Sequence, residues 1–265
     1  MLMGDMGSPG RARRVPLPLW EETTDVSVDF LPGLLELEQP RRGYRFNTDA
    51  ILLAAFVSEY TRPATQVADL GAGCGVVGLL MAREWPDSTL TLVELQPVLA
   101  ALCARNIERN GLDGRVEVMC SDLREGGWRR GHGRLLALCN PPFFPVGRAR
   151  LSKDQQLALA RHELCLTLAE LLEASGGALE VGEELALVHL AARSEEIFAA
   201  FSAAGFGALR YRQVRSLPHR KAQRILVVAT KGEAAENRHD LGDLIINSVT
   251  GGHSAEVQAW LDGRR

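Results

Sequence analysis

The stretch Val67-Ala68-Asp69-Leu70-Gly71-Ala72-Gly73-Cys74-Gly75-Val76-Val77-Gly78 admits few folds. An apolar run breaks into closely spaced glycines and resumes as an apolar helical run, so a buried strand must turn sharply into a helix. Glycine accepts the positive φ such a turn needs and lets backbone approach a ligand, while the new helix offers unpaired N–H groups. The chain repeats the theme. Strand candidates QVADL, TLTLVEL, RVEVMCS and RLLALCN alternate with helices in GVVGLLMAREW and PVLAALCARNIERN, the second stopped by Gly111 as a C-terminal cap. The expected fold is α/β and Rossmann-like, a doubly wound, mostly parallel sheet.

Downstream, a long amphipathic helix is expected around Asp154 to Ala174, then strands ALEVG, ELALVHL, ALRYRQV and RILVVATK, the last two as a closing antiparallel pair. Upstream, DVSVDF and LLELEQ with their Pro-Gly punctuation predict a small β-hairpin extension over residues 25–46. Residues 1–24 open on Gly, Ser, Pro and Arg without apolar periodicity and are expected to be a disordered tail, leaving residues 47–265 as the main domain. Within Asn47-Thr48-Asp49 lies the expected N-cap of the helix AILLAAFVSEY.

A net charge of −3 excludes a protein coated in positive charge, so a nucleic acid would have to be held by local patches. Five cysteines without C-x-x-C spacing, no signal-peptide pattern and no long apolar span suit reduced thiols in a cytoplasmic protein that neither enters a membrane nor holds a metal.

Asp69, Glu94 and Asp122 end three successive strand candidates. The carboxyl ends of strands in an open α/β sheet form one edge above the ligand crevice, so these acids are expected to converge on one extended molecule. Gly73-x-Gly75-x-x-Gly78 followed by Glu94 also satisfies a dinucleotide fingerprint, and the glycines alone leave nicotinamide and S-adenosylmethionine open. Asp69 favours the second: a carboxylate attracts the ammonium of a methionine moiety, whereas a pyrophosphate gains nothing from it. The expected cofactor is therefore S-adenosylmethionine on a turn of Gly71, Gly73 and Gly75, with Asp69 toward the ammonium, Glu94 on the ribose hydroxyls and Asp122 on the adenine amino group. Taken singly, each acid is equally readable as a helix cap or solvated turn residue.

The fourth strand ends in Asn140-Pro141-Pro142-Phe143, the expected catalytic segment. An aromatic amino group is a poor nucleophile because its lone pair is delocalised, so transfer to it needs acceptors that draw its hydrogens out of plane. The Asn140 side-chain oxygen and the Pro141 carbonyl supply two acceptors, the prolines fix their aim, and Phe143 offers a stacking face. Asn140 should also border the cofactor. In isolation, Pro-Pro after a strand is simply a stop signal.

With these residues in place, the chain resembles the small-domain class I methyltransferases that carry N-P-P-[FY], and among them bacterial enzymes that methylate N6 of an adenine beside the anticodon of valine tRNA. The resemblance runs from about Tyr44 to the C-terminus through YRFNTDAILLAAF, ARHELCLTLAELL, LPHRKAQRILVVATKG and HSAEVQAWL. It implies the class I methyltransferase fold, a tRNA partner, and a cofactor-side element containing Thr48 and Asp49. Phe144 and the PVGRAR loop are not diagnostic of one substrate.

Positive charge gathers in RYRQVRSLPHRKAQR and after the catalytic segment, and Arg148, Arg150, Arg215, Arg220 and Lys221 are the expected RNA contacts, unless these are solvated loops. His162 and His189 are read as packed. Rival readings are a protein glutamine N5-methyltransferase, an rRNA guanine N2-methyltransferase, or a catalytically silent S-adenosylmethionine-binding subunit.

Overall fold

The computed structural model describes residues 25–31, 35–41, 45–129, 131–141, 166–233 and 237–262. In chain order its elements are β1 (Val26–Leu31), β2 (Leu35–Pro40), α1 (Thr48–Tyr60), β3 (Gln66–Leu70), α2 (Val76–Glu84), β4 (Thr89–Glu94), α3 (Pro97–Arg109), β5 (Val116–Cys120) and β6 (Leu135–Cys139). Then come α4 (Leu168–Ala178), β7 (Glu184–Leu190), α5 (Ser194–Ala203), β8 (Phe206–Arg215), β9 (Arg224–Lys231), β10 (Arg238–Asp240), β11 (Leu244–Ile245) and α6 (Ala255–Leu261).

The main sheet runs β10-β8-β9-β7-β6-β3-β4-β5, with β11 also on β8. The pairs around β3, β4, β5, β6 and β7 are parallel, and β9 lies antiparallel between β7 and β8. The expected doubly wound sheet and its closing pair are both present. Both faces are buried, which is why these strands read as continuous apolar runs. Val67, Leu136, Leu138, Ala186 and Val188 pack on one side with α1 and α2. Ala68, Leu135, Ala137, Leu185 and Leu187 pack on the other with α4 and α5. The strand order reverses between β3 and β6, which opens the crevice at their carboxyl ends.

Two local expectations are corrected. ALEVG is not a strand: Leu179 caps α4 and the chain turns through Gly182 at φ +88° into β7. The amphipathic helix begins at Leu168, where Thr167 and Glu170 form a reciprocal capping box with an extended Thr167, and it runs on to Ala178. Residues 154–165 of the expected helix lie outside the described residues, as does the 1–24 segment. Asn47 is the N-cap of α1, accepting from Asp49 N, and Gly111 follows the C-cap Asn110 at φ +64°.

The β1–β2 hairpin pairs antiparallel as expected and is fastened to α3 by two asparagines. Asn106 Oδ1 accepts from Glu38 N (2.6 Å) and its Nδ2 donates to Glu38 O (2.9 Å). Asn110 does the same for Glu36, at 3.1 and 2.8 Å. Four residues of helix rise about 6.0 Å and two of strand about 6.8 Å, so an i,i+4 amide pair matches the outward-facing backbone groups of a strand. The Asn106 amide also donates to Cys74 O (2.9 Å), tying the hairpin to the glycine turn. Asn106 is fully buried, and Asn106→Ala would strand three backbone partners. We expect it to lower unfolding free energy by roughly 2–4 kcal/mol in urea titration, against about 1 kcal/mol or less for the more exposed Asn110→Ala. Equal losses would refute the central role of Asn106.

Candidate active site

Beyond β3 the chain stays on its neighbour: Gly71 N and Ala72 N both donate to Val93 O of β4, at 2.9 and 3.0 Å. Gly71, Gly73 and Gly75 have φ of +75°, +61° and +88°. At Gly75, the left-handed N-cap of α2, a Cβ would lie 3.0 Å from Leu92 Cδ1. At Gly78 it would lie 2.2 Å from Leu92 Cδ2, so glycine is what lets α2 press onto the sheet. A Cβ at Gly71 would meet nothing within 4 Å, leaving the outer side of the turn open.

Two acids hold this turn. Asp69 lies beneath it, with Oδ2 accepting from Gly78 N at 2.8 Å and so satisfying an orphan donor of the α2 N-terminus. Glu94 accepts from Gly73 N through Oε2 (2.8 Å) and from Gln96 N through Oε1 (2.7 Å). Burial lifts both carboxyl groups to about 7, against the pull of those N–H bonds, with the Asp69 charge a smaller contributor to the rise at Glu94.

Past β5, Asp122 caps the short helical turn Leu123–Glu125, and its carboxylate is clamped by Arg124, Nε to Oδ1 at 2.9 Å. That pairing holds its pKa below the usual carboxylate range. Beside it, the buried Ser121 hydroxyl has no hydrogen-bond partner among the described residues. Asn140 lies half-buried just past β6, two residues beyond Leu138, whose partner Asp69 stands two residues before Gly71. Pro141 is buried beside Asn140. Pro142, Phe143, Arg148, Arg150 and His162 lie outside the described residues. Thr48 is exposed at the start of α1, and Asp49 pairs with Arg224 at the start of β9 (2.9 Å) on the same edge of the sheet.

The basic cluster is mostly strand, and most of it is paired. Arg210 binds Glu184, Arg212 binds Glu256, and Arg215 binds Asp243 at 2.5 Å. Arg220 and Lys221 sit exposed in the β8–β9 turn without an ion pair among the described residues. His189 is buried on β7 and pushed down to about 4 by burial, as befits a packed residue. Burial pushes the Cys74 thiol up to about 12, and no disulfide forms among Cys74, Cys103, Cys120 and Cys139. Among the described residues, no group of three or more His, Cys, Asp or Glu could hold a metal, and no helix is long and apolar enough to cross a membrane. Sequence reasoning missed Asn106 and Ser121; Asn106 in the interior of α3, four residues before a second asparagine at the C-cap, was the available signal, since asparagine is unfavourable in helix interiors.

A glycine turn held by two strand-end acids, on a parallel sheet with the antiparallel β9 inserted between β7 and β8, defines a class I methyltransferase. The methyltransferase small domain model matches residues 47–189, more than half of the chain, and the chain belongs to that family. It is 30% identical over 230 residues to a tRNA1(Val) (adenine(37)-N6)-methyltransferase of Porphyromonas gingivalis, covering 83% of this chain and 88% of that one. An enzyme of the same name from Aeromonas salmonicida is 28% identical, covering 82% and 89%. Among solved structures, a predicted O-methyltransferase from Agrobacterium tumefaciens superposes with TM-score 0.63 at 24% identity, over 82% of this chain and 96% of that one. A methyltransferase from Pyrococcus furiosus reaches 0.55 at 20% identity, over 75% and 90%. These two likenesses speak for the fold alone.

Family and fold make S-adenosylmethionine the methyl donor. The site suits it: the turn is open at Gly71, the Ser121 hydroxyl is orphaned, and Glu94 has acceptor capacity beyond its two N–H bonds.

A raised carboxyl pKa stabilises the folded state fully only below the unfolded value near 4, and that stability is lost as pH rises through about 7. The protein without ligand should therefore lose melting temperature as pH rises from about 4 through about 7, a fall that His189, lowered to about 4, offsets in part up to about pH 6.5, so the net drop is plainest from about pH 6.5 to about 7.5. Asp69→Asn should flatten part of that slope while keeping an acceptor for Gly78 N. An unchanged slope in the variant would contradict the assignment.

Proposed function

We propose that the protein transfers a methyl group from S-adenosylmethionine to N6 of an adenine in a tRNA anticodon loop. The observation that carries this reading is the position of Asn140-Pro141 at the end of β6, the strand beside β3 and its glycine turn, in a chain matched over most of its length by relatives named for that reaction. Residues 47–265 form the catalytic domain and residues 25–46 its extension, in a cytosolic enzyme.

The cofactor supplies a methyl carbon made electrophilic by its bond to a sulfonium. Glu94 would accept from the ribose hydroxyls, Asp122 and Ser121 would hold the adenine end, and the turn of Gly71, Gly73 and Gly75 would let the ligand lie against backbone. Asp69, under that turn, supplies negative charge toward the ammonium and steadies α2; Thr48 and Asp49 border the same edge. Asn140 Oδ1 and the Pro141 carbonyl each accept one N–H of the substrate amine, turning its lone pair out of the ring plane, while Pro142 stiffens the segment and Phe143 stacks on the base. The bound cofactor would give up its methyl group to that nitrogen and leave as the neutral thioether, and the extra proton on nitrogen would pass to water. Arg148, Arg150, Arg220 and Lys221 are the proposed phosphate contacts, and Arg215, held by Asp243 and by Arg220 O, steadies the turn that carries the last two.

Incubating the protein with labelled cofactor and total tRNA, rRNA or glutamine-bearing peptide, followed by nucleoside mass spectrometry, tests the reading; N6-methyladenosine in tRNA is expected, and label confined to peptide refutes it. Asn140→Ala should lose on the order of 10²–10³ in rate with cofactor affinity nearly intact by calorimetry. Wild-type turnover in that variant would show that Asn140 is not catalytic.

A further inference from the structure

The β8–β9 turn and the loop between β11 and α6 stand side by side at the carboxyl edge of the sheet, the edge that also carries Gly71 and Asn140. Backbone bonds fasten them together: Ile246 N donates to Arg215 O (2.8 Å) and Asn247 N to Ser216 O (3.0 Å). The second loop is closed on itself by Ser248 N to Gly252 O (3.0 Å) and Ser254 N to Ile246 O (2.8 Å). Between the two lies a groove of about 390 Å³ lined by Leu217, His219, Asn247, Val249, Gly251 and Gly252. Small-molecule sites span roughly 300–1,000 Å³.

The lining suits one kind of group. At Gly251 and Gly252, with φ of +99° and +73°, a Cβ would meet nothing within 4 Å, so part of the wall is bare, accessible backbone. Val249, 73% exposed, gives the groove an apolar side chain, and His219, also in its lining, brings an imidazole ring. The half-buried Asn247 amide, a donor and an acceptor, has no hydrogen bond among the described residues. Apolar surface for two faces and an amide for one edge are what a nucleobase needs. Arg220 and Lys221, which follow His219 in the same turn, are exposed, while Asp243 and Glu256 are taken by Arg215 and Arg212, so this side of the turn carries positive charge that suits a phosphate.

We propose that this groove is a second nucleotide subsite, holding one base of the substrate RNA against His219 and Asn247 with its phosphate on Arg220 and Lys221. This rests on the RNA reading above and adds to it where the RNA is read away from the methylated base. From β6 to β8 is three strand steps, or roughly 14 Å at about 4.8 Å per step, so the base bound here belongs to the same loop as the target without adjoining it.

The probe is a stem–loop RNA with an unpaired adenine in its loop, compared with copies made abasic at single loop positions. One abasic position away from the target should raise the wild-type KM by about 5- to 100-fold, the worth of one stacked base. His219→Ala and Asn247→Ala should each raise KM on the intact RNA several-fold with kcat at saturating RNA unchanged, and should add nothing on that abasic RNA. No sensitive abasic position, an unchanged KM in both variants, or equal further losses on intact and abasic RNA each overturn the subsite and leave the RNA reading standing. Failure of the wild type to methylate any RNA overturns both. Both side chains project into the groove without hydrogen bonds among the described residues, and the abasic arm leaves the protein untouched.

Discussion

Two buried carboxylates, Asp69 and Glu94, take backbone N–H groups of the segment they enclose, and the ligand edge owes its shape to those bonds. A glycine turn alone has too much conformational freedom to be a site. Here the acid ending β3 grips α2 at Gly78 and the acid ending β4 grips the turn at Gly73, so the sequence of strand, turn and helix closes on itself. The bonds are made in surroundings that penalise charge, which is where a charged or hydroxyl-bearing ligand gains most from reaching the same groups.

Support for that edge comes from outside the sheet. The hairpin touches the turn through the Asn106 amide on Cys74 O, and Cys103 Sγ on α3 reaches Gly73 O at 3.1 Å. The glycine loop is thus braced from α3 on its inner side while the side facing Gly71 stays open. On the far side of the crevice, four arginines are consumed in joining distant elements, including Arg210 with Glu184 and Arg224 with Asp49, so positive charge toward solvent is concentrated in the β8–β9 turn.

The parallel strands were legible because burial on both faces writes them as unbroken apolar runs, and the helix ends because Asn47, Gly111 and the glycine turn carry their own conformational signals. ALEVG misled because Val181 mimics an inward strand position and is instead 82% exposed in a turn. Thr167 and Glu170 were visible as a capping pair and should have set the start of α4. The basic segment was legible only as charge: the partners that neutralise Arg212, Arg215 and Arg224 lie 44, 28 and 175 residues away, and no local pattern encodes them. The placing of Asp69 and Glu94 at strand ends was readable, but their bonds to Gly78 and Gly73 depend on how tightly α2 packs.

The amide ladder of Asn106 and Asn110 has a bearing on how this protein behaves in company. A short hairpin strand such as β2 ordinarily leaves a row of outward N–H and C=O groups that another extended chain can pair with. Here Glu36 and Glu38 already have both groups occupied by side chains that cannot propagate a sheet. The hairpin is therefore closed to strand addition along this stretch, and an unfolded chain that meets it finds no template there.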